Sequence, residues 1–224
     1  KDLENENAFL DLLTYAYKSN DPTITDTVLR PLQNRLDDRV ISTNFGTVSD
    51  GTTDNSVELQ AAIDQLFLNP TTKASADTAA GKAARVILEL PPGIFKFTQT
   101  LLIPSYTTII GAGQDKTILQ YEGTGTAIQF VNDTSEIGNP GSINTTTGLN
   151  QPRFISMSNL TVHTVTADQV ALKMNCVRNS KFENLNIEGE WNSLFNANSR
   201  GIELNALTSM ITCSDNIFDN ISIS

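Results

Sequence analysis

One hexapeptide pattern occurs three times in the second half of the chain, and no other feature narrows the fold as far. Met157-Ser158-Asn159-Leu160-Thr161-Val162, Phe182-Glu183-Asn184-Leu185-Asn186-Ile187 and Phe218-Asp219-Asn220-Ile221-Ser222-Ile223 each read apolar, polar, Asn, aliphatic, small polar, aliphatic. Upstream of each copy runs a second matching strand: Ala127-Ile128-Gln129-Phe130, Ala171-Leu172-Lys173-Met174 and Gly201-Ile202-Glu203-Leu204. A unit of several short strands therefore recurs, with loops of unequal length between its parts. Such a unit cannot cover its inner face alone, so copies must stack, and the pattern predicts a parallel β-helix. The repeated Asn suits a sharp bend between strands, where its amide can both donate and accept along the stack. Asn159, Asn184 and Asn220 are expected to form such a structural ladder, buried at the bend. That expectation also removes Asn159-Leu160-Thr161 and Asn220-Ile221-Ser222 as glycosylation sequons.

The first half carries the entry to this stack. Residues 1–43 read as a separate attachment or oligomerisation segment, with Ala8, Phe9, Leu12, Leu13 and Ala16 at helical spacing within Asn7 to Lys18. A helix of about three turns is marginal alone, so a covering surface is implied. Asp50-Gly51 signals a turn. Asn55 and Glu58 stand at capping-box spacing before a helix whose buried stripe is Leu59, Ala62, Ile63, Leu66 and Phe67. From Arg85 onward short apolar strands alternate with Pro91-Pro92-Gly93 and Gly111-Ala112-Gly113 turns, as an all-β domain requires.

Charge and cysteine usage exclude several classes of function. The 25 acids outnumber 15 bases, for a net charge of −10, and such a field repels phosphate backbones, so nucleic acid is not an expected partner. No apolar run approaches the 18 to 20 residues of a bilayer span, so membrane insertion is not expected either. Cys176, Cys213 and the single His163 supply no metal-ligand set and no disulfide framework, and no cofactor or metal is expected. Both cysteines read as small apolar core residues.

The stretch Phe45 to Asp64 resembles the opening motif of the pectate-lyase-like right-handed β-helix superfamily, a Phe-Gly-Ala-x-Gly-Asp-Gly-x-x-Asp-Asp pattern before an Ala/Gln-rich helix. Pro91-Pro92-Gly93-Ile94-Phe95 is similar to the family's Leu-Pro-Pro-Gly-x-Tyr turn. Ile110-Gly111-Ala112-Gly113 with Thr117-Ile118-Leu119 is similar to its Gly-x-Gly-x-x-x-Thr-x-Leu element. Ser49 and Asn55 depart from the pattern, standing where Gly and the second Asp are usual. Asp50, Gly51, Asp54 and Asn55 are read as turn and cap residues closing the N-terminal end of the solenoid. Leu36-Asp37-Asp38-Arg39-Val40-Ile41-Ser42 resembles the lead-in of bacteriophage tail spikes and tail fibres. The resemblance implies an all-β fold, a right-handed parallel β-helix over residues 44–224 with a capping α-helix at its start. It further implies a homotrimer located in the virion tail, residues 1–43 contacting other tail or baseplate proteins, and recognition of a host surface glycan. Because Ser224 follows the third copy directly, further coils are expected downstream.

Glycoside hydrolysis needs two carboxylates about 5–9.5 Å apart. Glu183, Glu188, Glu190, Glu203, Asp215 and Asp219 are available. Glu188 and Glu190 would share one strand face, with Trp191 beside them as a sugar-stacking ring. The competing reading makes Glu188-Gly189-Glu190 a solvated turn, and no convincing catalytic pair is assigned. The polar loops 132–152 and 191–200 are where a rigid scaffold would carry binding. The alternatives to a virion protein are a secreted, extracellular polysaccharide-degrading enzyme of the same superfamily and a purely structural collar or baseplate adaptor.

Overall fold

The computed structural model describes residues 14–17, 28–31, 39–65, 87–131, 151–189, 198–206 and 212–224. The chain divides into two compact units, Lys1–Val40 and Ile41–Ser224. In the first, β1 (Thr14–Tyr17) and β2 (Val28–Pro31) pair antiparallel, Thr14 opposite Pro31 and Tyr17 opposite Val28. This corrects the expected helix over Asn7 to Lys18, of which residues 7–13 and 18 lie outside the described residues. Thr14, Tyr15 and Tyr17 favour a pleated strand, and a short run of helical spacing does not outweigh that preference where a β-rich partner segment is at hand. β3 (Arg39–Ile41) and a 3-10 turn (Ser42–Phe45) lead into the second unit.

The second unit is a stack of coils. After α1 (Ser56–Gln65), the first coil consists of β4 (Ile87–Leu90), β5 (Gly93–Phe97) and β6 (Leu101–Ile103). The next has β7 (Thr108–Gly111), β8 (Thr117–Tyr121) and β9 (Thr126–Phe130). β10 (Ser156–Thr164) with β11 (Val170–Asn175), then β12 (Lys181–Gly189) with β13 (Arg200–Asn205), form two further coils, and β14 (Ile217–Ile223) begins a fifth. Every pairing among β4 to β14 is parallel, and β10 pairs with both β7 and β8.

The register explains the repeat. Leu88, Ile109, Met157, Phe182 and Phe218 stand one above another, as do Phe95, Leu119, Val162, Ile187 and Ile223. On the facing sheet Ile128, Leu172 and Ile202 stack, followed by Phe130, Met174 and Leu204. Through β12 these side chains fill the interior, whereas Leu204, Phe218 and Ile223 of the last strands are exposed. Phe130 and Phe182 meet edge to face at 5.3 Å, and Phe182 stacks on Phe218 at the same spacing. Like side chains must therefore recur in sequence at one coil's spacing.

The N-terminal edge of the stack is closed by residues of the same chain. A strand edge leaves N–H and C=O groups unpaired. Here Gly51 N–H donates to the Ile94 carbonyl at 2.9 Å and Asn55 N–H to that of Lys96 at 2.8 Å. Gln60 on α1 donates to the Leu102 carbonyl and accepts from the Leu102 N–H, 3.1 and 2.9 Å. Ser56 Oγ accepts from the N–H groups of Thr98 and Gln99. Leu59, Ala62 and Ile63 turn the helix's apolar stripe into the core, while Leu66 and Phe67 of that expected stripe lie outside the described residues.

Candidate functional site

Asp50, Gly51, Asp54 and Asn55 lie together in this closure. Asp50 accepts from the N–H groups of Thr53 and Thr52, both at 2.8 Å, and from the Thr53 hydroxyl. Those bonds, the Thr53 N–H first, hold its carboxyl well below the usual carboxylate range. Gly51 takes φ +72°. At Asp54 partial burial pushes the pKa up, but bonds from the Ser56 and Thr98 hydroxyls and the Ser56 N–H outweigh it, and the net displacement is downward. Asn55 is 1% exposed. Its Oδ1 accepts from the Val48 N–H at 2.6 Å, while its Nδ2 faces the carbonyls of Val48, Thr53 and Lys96 at 2.8–3.2 Å. An Asp could make the first bond but none of the others, a physical reason for Asn where the family pattern has Asp. The side chain does not close a capping box; the Asn55 carbonyl instead accepts the Leu59 N–H, and Asp54 caps Ser56.

Asn159, Asn184 and Asn220 occupy one column. Asn184 Nδ2 donates to Asn159 Oδ1 at 3.0 Å and Asn220 Nδ2 to Asn184 Oδ1 at 2.8 Å. All three take the left-handed conformation, φ 58°, 50° and 51°, which Asn tolerates better than other side chains. The ladder is not buried: Asn184 and Asn220 are exposed. A left-handed residue inside a strand turns its side chain away from the core that its neighbours fill, so the amides face outward. A second ladder escaped the sequence reading. Asn205 Nδ2 donates to Asn175 Oδ1 at 3.0 Å, and its signal was the Asn that follows Met174 and Leu204 in two copies of the upstream strand.

The outward faces carry mixed polar stripes. Lys96, Gln120, His163 and Glu188 follow one register column. Lys96 Nζ and Gln120 Nε2 both reach Glu122, at 2.9 and 2.8 Å, and in that order they hold the Glu122 carboxyl below the ordinary range. Glu188 accepts from Asn186 Nδ2 at 2.6 Å. Its expected partners Glu190 and Trp191 lie outside the described residues, as do most of loops 132–152 and 191–200. Register instead sets Glu183 beside Asp219 on adjacent coils, on strands spaced about 4.8 Å apart, with Lys181 Nζ on Glu183 at 2.6 Å. On the other sheet Glu203 is gripped by Asn205 (2.6 Å), Arg200 (3.0 Å) and Lys173 (3.5 Å). Burial alone would raise its pKa, and these three partners lower it. Asp50, Asp54, Glu122 and Glu203 are thus all displaced downward, the wrong direction for a general acid, which must hold a proton near neutral pH.

Cys176 and Cys213 are not joined in a disulfide; Cys176 is buried, and Cys213 donates to the Met174 carbonyl at 3.1 Å, its pKa raised by burial. Among the described residues no three His, Cys, Asp or Glu side chains converge on a metal position, and no helix is long and apolar enough to cross a membrane.

Coaxial parallel coils with an amide ladder define a right-handed parallel β-helix. The profile of the family described as rhamnogalacturonase A/epimerase, pectate lyase-like, matches residues 40–224, and the chain belongs to that family. Comparison with curated proteins finds no match by sequence. Among solved structures, the chain is similar to ORF18 of Geobacillus virus E2, with 16% identity and a TM-score of 0.51 over 78% of this chain and 34% of that one. It is also similar to a 1,3-alpha-1,4-beta-D-galactose-4-sulfate-3,6-anhydro-D-galactose-2-sulfate 4 galactohydrolase, with 16% identity and a TM-score of 0.55 over 83% and 38%. An iota-carrageenase complexed to iota-carrageenan fragments gives 17% identity and a TM-score of 0.54 over 83% and 36%. The chain therefore spans about a third of the length of the solved structures it matches.

Proposed function

We propose that this chain is the N-terminal part of a bacteriophage tail spike or tail fibre, a homotrimer in the virion that attaches through residues 1–43 to other tail or baseplate proteins. Its β-helix presents outward polar stripes to a host surface polysaccharide. The observation that carries this reading is the division of the chain. A separate unit, Lys1–Val40, comes before a β-helix whose own residues Asn55, Ser56 and Gln60 satisfy the backbone groups at its leading edge. A unit that is separately compact from the β-helix is the segment available for attachment. The likeness to a viral ORF18 protein supports the same reading. Light scattering on the purified chain is expected to give three copies per particle. A monomer at every concentration overturns the trimer, and absence of retention by any bacterial surface polysaccharide favours a structural collar.

A second reading, a polysaccharide-degrading enzyme, is supported by the juxtaposition of Glu183 and Asp219 and by the likeness to a galactohydrolase. Release of reducing ends from a bound polysaccharide, abolished in Glu183→Gln and in Asp219→Asn, would favour it.

A further inference from the structure

At the corner just before β7, β10, β12 and β14, each coil places one non-glycine residue in the left-handed region: Tyr106 (φ 65°), Phe154 (φ 54°), Asn179 (φ 50°) and Asp215 (φ 56°). They form a column. Tyr106 N–H donates to the Arg153 carbonyl, Phe154 N–H to that of Arg178 and Asn179 N–H to that of Ser214, at 2.9, 3.3 and 3.1 Å. The same backbone link thus repeats from coil to coil, with bridges Arg153 to Arg178 and Arg178 to Ser214 between the preceding residues. Asn and Asp are ordinary occupants of this conformation, whereas a bulky aromatic there is a genuine outlier. Two successive coils nonetheless carry one. The Tyr106 and Phe154 rings stack at 5.2 Å and 24°, and Phe154 is 50% exposed, so the strain is not offset by burial in the core. Asn179 and Asp215 are exposed as well.

The corner sets the left-handed backbone in every coil, so what points to function is the placing of two aromatic side chains there, Phe154 half exposed, where Asn or Asp sits without that strain. We infer that the column Tyr106, Phe154, Asn179 and Asp215 is a carbohydrate-binding strip that takes an uncharged, hydroxyl-rich stretch of polysaccharide running along the helix axis. The aromatic pair offers an apolar surface to the C–H face of a pyranose ring, and the amide and carboxylate accept and donate to hydroxyls further along. Asp215 disfavours an anionic group at its end of the strip, while Arg153 and Arg178 precede Phe154 and Asn179, so charged and neutral polysaccharides are separated by the test. The inference rests on the polysaccharide-recognition reading and locates it.

The test is Phe154→Asn, which installs the residue type that the next coil carries at the equivalent position, alongside Tyr106→Asn. Wild type and variants are titrated against an array of neutral and acidic bacterial surface polysaccharides, with iota-carrageenan as a sulfated control, and their melting temperatures and oligomeric states are compared. Wild type is expected to bind neutral members. Phe154→Asn is expected to bind them at least tenfold more weakly while melting at or above the wild-type temperature, because the strain is relieved. A purely structural pair would instead lower the melting temperature and leave binding unchanged, which overturns the inference but not the functional reading. Binding confined to acidic or sulfated members overturns it too, and loss of oligomerisation in the variants reassigns the column to subunit contact. A wild type that binds nothing on the array fails both.

Discussion

The two ends of the β-helix turn the same corner by different means. In the first coils the bend between the two halves of the long sheet takes two or more residues: Pro91 and Pro92 between β4 and β5, and Ala112 to Lys116 between β7 and β8. In later coils it shrinks to one left-handed Asn inside an unbroken nine-residue strand, at Asn159 in β10 and Asn184 in β12. The early corners depend on close backbone approach. A Cβ at Gly111 would lie 2.3 Å from the carbonyl oxygen of Asn159, the first ladder residue, and 2.8 Å from the Cβ of Leu160. The later corners depend on an amide that bonds to its own kind one coil away. One is steric and unforgiving, the other polar and exposed, and substitutions should separate them.

The largest effect is expected at the closed end. Asn55→Asp places a carboxylate against three carbonyls in a buried site and should cost about 3 kcal/mol or more, read as a fall in the urea midpoint. Gly111→Ala should cost roughly 1–3 kcal/mol by overpacking backbone that cannot move away. Asn184→Ala loses two ladder bonds and puts Ala at φ 50°, for about 1–2 kcal/mol; Asn184→Gly, which tolerates that φ, should cost less. If Asn184→Ala proved costlier than Gly111→Ala, the contrast between the corners would be reversed.

The smallest effect is on acid sensitivity. The folded pKa of Asp54 is depressed, so its contribution to stability is present above the unfolded value, about 3.9, and is lost as pH falls through the folded value. Asp54→Asn should flatten the fall in stability below about pH 4, and equal slopes in the two proteins would show that the Ser56 and Thr98 bonds do not bias its ionisation.

How much of this was legible follows from the same contrast. Stacking requires like residues at like positions, so the columns through Met157, Phe182 and Phe218, and through Asn159, Asn184 and Asn220, could be read from the repeat before any coordinates. The outward direction of the amides could not, because hexapeptide spacing does not reveal a left-handed backbone. Asn175 and Asn205 are visible as a repeated letter directly after the matched tetrapeptides, in two of the three copies only. The corner column was hidden for a different reason: left-handed positions are usually sought through Gly and Asn, and Tyr106 and Phe154 carry neither signature. The strand at Thr14–Tyr17 was missed because its apolar neighbours happen to fall at helical spacing. Glu183 and Asp219 are 36 residues apart in sequence, and only register makes them neighbours.

The amide ladders and the strand bonds all point along the helix axis, and this gives the domain a mechanical character. A pull on the chain end of the last strand loads the bonds to the coil beneath it first, so coils peel off in turn. The interior columns instead join every coil to the next through packed side chains, Phe130 on Phe182 and Phe182 on Phe218 among them.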